Sequence, residues 1–104
     1  MTLLFVRRYH WRVKIEFDAA KSERNIAERG LPFTRVIDFD WETALISADS
    51  RFPYPEPRFV ALGFIGERLH VVCFTPIAGG IRVISFRKAN QREVGHHEQK
   101  TTDR

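Results

Sequence analysis

Four cations crowd the stretch Ile81–Glu93: Arg82, Arg87, Lys88 and Arg92 lie where a β-strand pattern passes into a helix pattern. Arginine stays charged and grips phosphate oxygens through two parallel N–H donors, so such a cluster suits a phosphodiester. The free N–H groups that open the following helix favour the same ligand. Arg58 opens an earlier strand, and in a meander the strands carrying Arg58, Arg82 and Arg87 would be neighbours, with Lys88 at the helix junction. Cleavage of RNA by its own 2′-hydroxyl has three requirements. A proton must leave that hydroxyl, the pentacoordinate phosphate must be neutralised, and the departing 5′-oxygen must be stabilised. Fixed guanidinium groups meet the second. Arg58, Arg87 and Lys88 are therefore the catalytic candidates. Lys88, beside Arg87, is the one cation whose proton like charge could loosen.

Each candidate also has a structural reading. Arg82 has the spacing to share a face with Ile84 and Phe86, and either binds RNA or pairs with a carboxylate such as Glu93. Lys21 and Asn25 stand one helical turn apart; Lys21 either lines an RNA groove or is solvated, and Asn25 either joins it or fastens its helix to a loop. His70 alternates with Leu69 and Val71, the pattern of a core or rim histidine, yet it is the only strand histidine near the meander. It is therefore a candidate for the RNA-binding surface, and an ordinary pKa near ~6.5 suits proton transfer. His96 and His97 lack the ligand spacing of a zinc site, and His10 belongs to the leader. No metal and no cofactor are expected. Cys73, alone within Val71–Phe74, reads as a small buried hydrophobe.

The 104 residues allow one domain with its own core, and 43% hydrophobic content excludes general disorder. A net charge of +4 and a pI near 9.7 suggest an anionic partner. Asp38, Asp40, Glu42 and Asp49 form a separate acidic stretch, so the cationic patch is a local feature. No run approaches the roughly 18 apolar residues of a membrane span. Met1–Val6 is short for a secretory signal and its charges follow it, so the expected setting is the cytoplasm.

Val13–Phe17 alternates like a half-buried strand, Asp18 caps a helix over 19–29, and Gly30 stops it. Pro32 and Phe33 open a short second helix ending near Phe39. Thr43–Ala48 reads as a strand, followed by a loop punctuated by Pro53, Pro55 and Pro57. Strands at 58–64, 69–75 and 81–86 form a meander, and a terminal helix runs from Ala89 to about Gln99. The expected class is α+β: a small antiparallel-rich sheet, with helices mainly on one face. Residues 1–12 read as an N-terminal extension, too apolar at Leu3, Leu4, Phe5, Val6, Tyr9 and Trp11 for a solvated tail. Either the true start lies near Val13, or these residues cover a patch or add an edge strand, and the edge strand is the expectation. Residues 13–99 are the domain proper and 100–104 a frayed tail.

Three motifs occur in order. Arg82-x-Ile84-Ser85-x-Arg87-Lys88-Ala89 leads to Arg92-Glu93. Upstream lie Glu16-Phe17-Asp18, Lys21, Asn25, Arg29-Gly30 and Phe33, and between them Glu56-Pro57-Arg58, Leu62-Gly63 and Arg68–Val72. Together these resemble the BrnT-type toxins, endoribonucleases of bacterial toxin–antitoxin pairs. The chain departs at Phe17, where the family has tryptophan, at Glu28-Arg29, where it has Lys-His, and at Pro76. The resemblance implies a RelE-like ribonuclease fold and a BrnA-type ribbon-helix-helix antitoxin. It also implies that promoter DNA is bound only through the toxin–antitoxin complex. The alternative is a non-catalytic basic module that binds nucleic acid or an acidic partner.

Overall fold

The computed structural model describes the backbone of residues 2–8 and 11–102, and the side chains of residue 3 and residues 13–102. Six strands form one mixed sheet. They are β1 (Thr2–Arg8), β2 (Trp11–Phe17), β3 (Leu45–Ala48), β4 (Phe59–Ile65), β5 (Arg68–Ile77) and β6 (Gly80–Lys88), in the spatial order β1-β2-β6-β5-β4-β3. The meander β4–β5–β6 is antiparallel as expected, and β2 joins β6 in parallel. β1 pairs with β2 along one edge of the sheet. Expectations for the side chains of Leu4, Phe5, Val6, Tyr9 and Trp11, and for His10, fall outside the described residues.

The helices do not gather on one face, which corrects the sequence expectation. Helix α1 (Ala19–Arg29) and the 3-10 helix Phe33–Asp38 cover one face, where Val36 and Phe39 pack on Ile15, Phe17, Val72, Phe74, Val83 and Phe86. Helix α2 (Gln91–Thr102) covers part of the other, with Val94 against Leu69, Val71, Val60, Leu62 and Phe64. Val71 and Val72 are neighbours in β5 yet belong to different clusters, because successive strand side chains point to opposite faces. A strand apolar at consecutive positions has two faces to bury, and each face needs a cover.

The termini of α1 follow local chemistry. The Asp18 carboxylate accepts from the N–H groups of Ala20 and Lys21, and Gly30 closes the helix at φ 65° with its own N–H on the Asn25 and Ile26 carbonyls. Helix α2 starts later than expected. β6 ends at Lys88, Ala89 follows it buried against Leu69 and Val71, and Asn90 is the cap. The helix also runs on through Lys100 to Thr102, where the Thr101 and Thr102 hydroxyls bond back to helix carbonyls; residues 103 and 104 lie outside the described residues.

One irregularity governs the faces of β6. Phe74 pairs with Val83 while Cys73 pairs with Ser85, so Ile84 is left without a partner in a β-bulge. The alternation restarts after it. Val83 and Phe86 both enter the core beneath α1, and Arg82 does not share a face with Phe86. The expected grouping of Arg82, Ile84 and Phe86 is broken by this extra residue.

Asn25 fastens α1 to the end of β6. Its buried amide donates to the Leu31 carbonyl and to the Phe86 carbonyl, both at 2.8 Å. This is the fastening role weighed for Asn25, and it leaves the amide no face toward a groove. Asn25→Ala strands both carbonyls in a buried site, so urea unfolding should show a loss of about 1–3 kcal/mol. A variant as stable as the parent would show that this clip holds nothing.

Candidate functional site

The face opposite α1 carries three of the expected cations. Ile15 and Phe17 point into the α1 core, so Glu16 between them points to the other face, and its register partner Arg82 does likewise. Thr75 pairs with Arg82, and its hydroxyl donates to the Pro57 carbonyl beside Arg58. Phe59 packs into the core, which turns Arg58 the opposite way. Beyond the bulge, Arg87 pairs with Val71 and lies on the same face. Four residue steps then separate Arg82 from Arg87, a span of about 13 Å at the rise of a strand. Ser85 and Cys73 lie between these rows.

Each of these three arginines is held by a carboxylate. Arg82 Nε donates to Glu16 at 2.8 Å, and Arg58 Nη2 donates to Glu56 at 3.3 Å. Arg58 also lies 4.1 Å above the centre of the Tyr54 ring, with its Nε buried and unpartnered among the described residues. Arg87 makes the tightest pair: Nη1 and Nη2 reach the two Glu93 oxygens at 2.7 and 2.8 Å. Glu93 has a second duty. Its carboxylate accepts the Asn90 N–H while the Asn90 side chain accepts the Glu93 N–H, a capping box at the start of α2. A helix cap and a cation clamp thus share one side chain.

A groove of about 330 Å³ runs along this face between the start of α2 and the Asp49–Arg58 loop, lined among others by Arg87, Glu93, Cys73, Asp49 and Arg51. Asp49 organises the loop. Its side chain is only 4% exposed and accepts from Arg51 Nε and Nη2, from the Arg51 N–H and from the Tyr54 hydroxyl. The Arg51 bonds, above all, draw its carboxyl down to about 2. Cys73, expected inside the core, is half-buried and borders this groove.

The other expected residues do not join this face. Lys88 follows Arg87 in the strand and points the opposite way, opposite His70 in the ladder; the expected grouping of Lys88 with Arg58 and Arg87 does not form. His70 is 4% exposed, packed on Phe86, with Nδ1 2.8 Å from the Arg68 carbonyl. Burial first, then the cations Arg68, Lys88 and Arg35, hold its pKa below the ordinary 6.5. It offers no surface to RNA. Lys21 is exposed on α1, across the sheet. His97 is buried against Phe64, and among the described residues no three His, Cys, Asp or Glu side chains converge to hold a metal ion.

Residues 17–93 match the family described as ribonuclease toxin, BrnT, of type II toxin–antitoxin systems. The chain belongs to the BrnT toxin family. No curated protein and no solved structure matches it. BrnT membership carries with it a ribonuclease toxin's substrate, RNA, and an antitoxin partner. The match ends at Glu93, the residue that clamps Arg87. Among the described residues, no helix of this BrnT toxin is long and apolar enough to cross a membrane.

The sequence offers Glu93 as a partner for Arg82 and Asp49 as part of an acidic stretch, whereas the structure gives Glu93 to Arg87 and gathers Arg51 and Tyr54 on Asp49. The spacing Asn90-x-x-Glu93 was a readable capping signal. The Asp49 cluster had no comparable signature, since its partners converge through a loop.

The Glu93 carboxyl is held below its ordinary 4.5, first by the hydrogen bonds from Arg87 and also by the Asn90 N–H. A carboxylate with a lowered folded pKa adds stability above 4.5 and loses it as the pH falls through the folded value. Because Arg87 is 38% exposed, solvent screens the pair. Glu93→Gln, which can still accept at the cap, should cost about 0.5–1 kcal/mol near pH ~7. Chemical denaturation should show the gap to the parent narrowing as the pH falls below 4.5 and closing once the folded-state carboxyl is protonated. A gap of constant size would remove the ion pair as its source.

Proposed function

We propose that this BrnT toxin is a metal-independent endoribonuclease whose active surface is the sheet face bearing Arg58, Arg82 and Arg87. The observation that carries the reading is the bulge at Ile84, which sets Arg82 and Arg87 on one face together with Arg58. A surface with three fixed guanidinium groups and a helix start fits an RNA backbone and the extra charge of a pentacoordinate phosphate. In the reaction the 2′-oxygen forms a bond to phosphorus and gives up its proton. The bond from phosphorus to the 5′-oxygen breaks, and that oxygen takes a proton. The products are a 2′,3′-cyclic phosphate and a 5′-hydroxyl. Arg87, oriented by Glu93, contacts the scissile phosphate, while Arg58 and Arg82 hold the flanking backbone. Lys88, Lys21 and His70 have no part in this reading because they lie off this face.

On the same reading the fold is RelE-like, residues 13–99 are the toxin domain, and 1–12 are an extension whose β1 widens the sheet. The partner is a BrnA-type ribbon-helix-helix antitoxin, which brings promoter DNA to the complex, and the setting is the cytoplasm. A second reading, a non-catalytic basic module, draws on the carboxylate already paired with each of Arg58, Arg82 and Arg87.

Incubation of the purified chain with RNA in chelator separates the two. We expect cleavage without added metal. Arg87→Ala should reduce it at least ~100-fold, the scale for removing one donor to developing charge. Arg87→Lys should recover little, because the two-pronged geometry goes with the guanidinium. Both variants should keep the parent's circular dichroism spectrum. Cleavage that needs magnesium rejects the metal-free route, and an Arg87→Ala chain as active as the parent rejects the placement of the site.

A further inference from the structure

Phe52 is 64% exposed, the most exposed large hydrophobic side chain among the described residues, and it stands beside the cationic face. The loop that presents it is built to hold still. Asp49 anchors one end by donating its N–H to the Arg58 carbonyl at 2.8 Å, and its carboxylate grips Arg51 and the Tyr54 hydroxyl. Arg58 lies against the Tyr54 ring, and Phe52 meets that ring edge-on at 5.8 Å. Pro53, Pro55 and Pro57 restrict the backbone on either side of Tyr54. An apolar ring in water is unfavourable, and here a rigid framework keeps it there.

We propose that Phe52 is a stacking platform for an unpaired RNA base next to the groove, with Tyr54 as its support. The proposal rests on the reading of this face as the RNA surface and adds the form of RNA it takes: single-stranded, with a base splayed onto the ring. Three features favour a base over other apolar ligands. A ring already held in place loses little conformational freedom on binding, which favours stacking. Arg51, 70% exposed, is gripped through Nε and Nη2, so Nη1 is outside the grip and can meet a phosphate. The recess of about 380 Å³ that Phe52 and Tyr54 line also contains Arg58 and Asp49, and Asp49 borders the Arg87 groove as well. One nucleotide can therefore place its base on Phe52 while the backbone continues toward Arg87.

The test uses the full chain and two probes. The first is a 2′-O-methyl oligonucleotide, which cannot be cleaved, carrying 2-aminopurine at successive positions. The second is a cleavable oligonucleotide of the same sequence, offered single-stranded or as a duplex. We expect one 2-aminopurine position to be quenched on binding, and Phe52→Ala to abolish that quench. Phe52→Ala should raise KM roughly tenfold with little change in kcat, the scale for losing one base–aromatic stack. Phe52→Trp should restore KM and Phe52→Leu should not, because leucine keeps apolar bulk without a π face. The duplex should be cleaved far more slowly than the single strand. Cleavage with unchanged KM and quench in Phe52→Ala overturns the platform and leaves the ribonuclease reading standing. Phe52-dependent quenching without any cleavage does the reverse. A parent chain that binds neither oligonucleotide overturns both. A Phe52→Ala chain that binds RNA normally but no longer co-purifies with its antitoxin assigns the ring to protein contact instead.

Discussion

The unpaired residue at Ile84 is the constraint on which the arrangement of this sheet depends. Arg82 and Arg87 are five positions apart, so in a regular strand they would point to opposite faces. The bulge absorbs one residue and turns that odd separation into an even one. The same shift places Val83 and Phe86 together in the core beneath α1. Core and cationic face are thus set by one event: a regular β6 would drive either an arginine into the core or a phenylalanine out of it. Phe86 is almost fully buried against Phe33 and His70, so packing on the α1 side holds the bulge in register.

The arginines so placed are not free charges. Glu16, Glu56 and Glu93 each hold one, and Asp49 holds Arg51. On an exposed surface such pairs contribute little to stability, commonly under about 1 kcal/mol. Their larger effect is to limit the positions a long cationic side chain can take. A guanidinium already oriented loses less freedom when a phosphate arrives, at the cost of competing with its carboxylate. Arg87 shows this most clearly, because its partner is itself fixed by the cap of α2.

That linkage explains the spacing of the C-terminal motif in physical terms. Phe86 and Ala89 are buried on opposite faces, Arg87 and Glu93 close over the chain between them, and Asn90 opens the helix. With Ala89 and Asn90 between β6 and α2, the first turn of the helix brings Glu93 onto Arg87. The motif therefore encodes a junction as well as a charge cluster.

Much was legible in the sequence because it is local. Asp18 and Gly30 bound α1, glycine turns join the meander strands, and the cations collect where β6 meets α2, all through interactions among near neighbours. The family pattern was legible too, carried by Arg87, Lys88, Ala89 and Glu93 in order. Tertiary structure decided the rest. It carried β6 on through Lys88, which therefore alternates away from Arg87. It also set His70 on the other face from Arg87, because which face a residue of a different strand takes depends on register and on a bulge no spacing announces. It alone gave Arg82 to Glu16, sixty-six residues away, and left Glu93 for Arg87. Residue types could say which groups are able to grip a phosphate. Only the packing of two sheet faces under different helices could say which of them stand together, since side-chain direction in a strand is a property of the whole ladder.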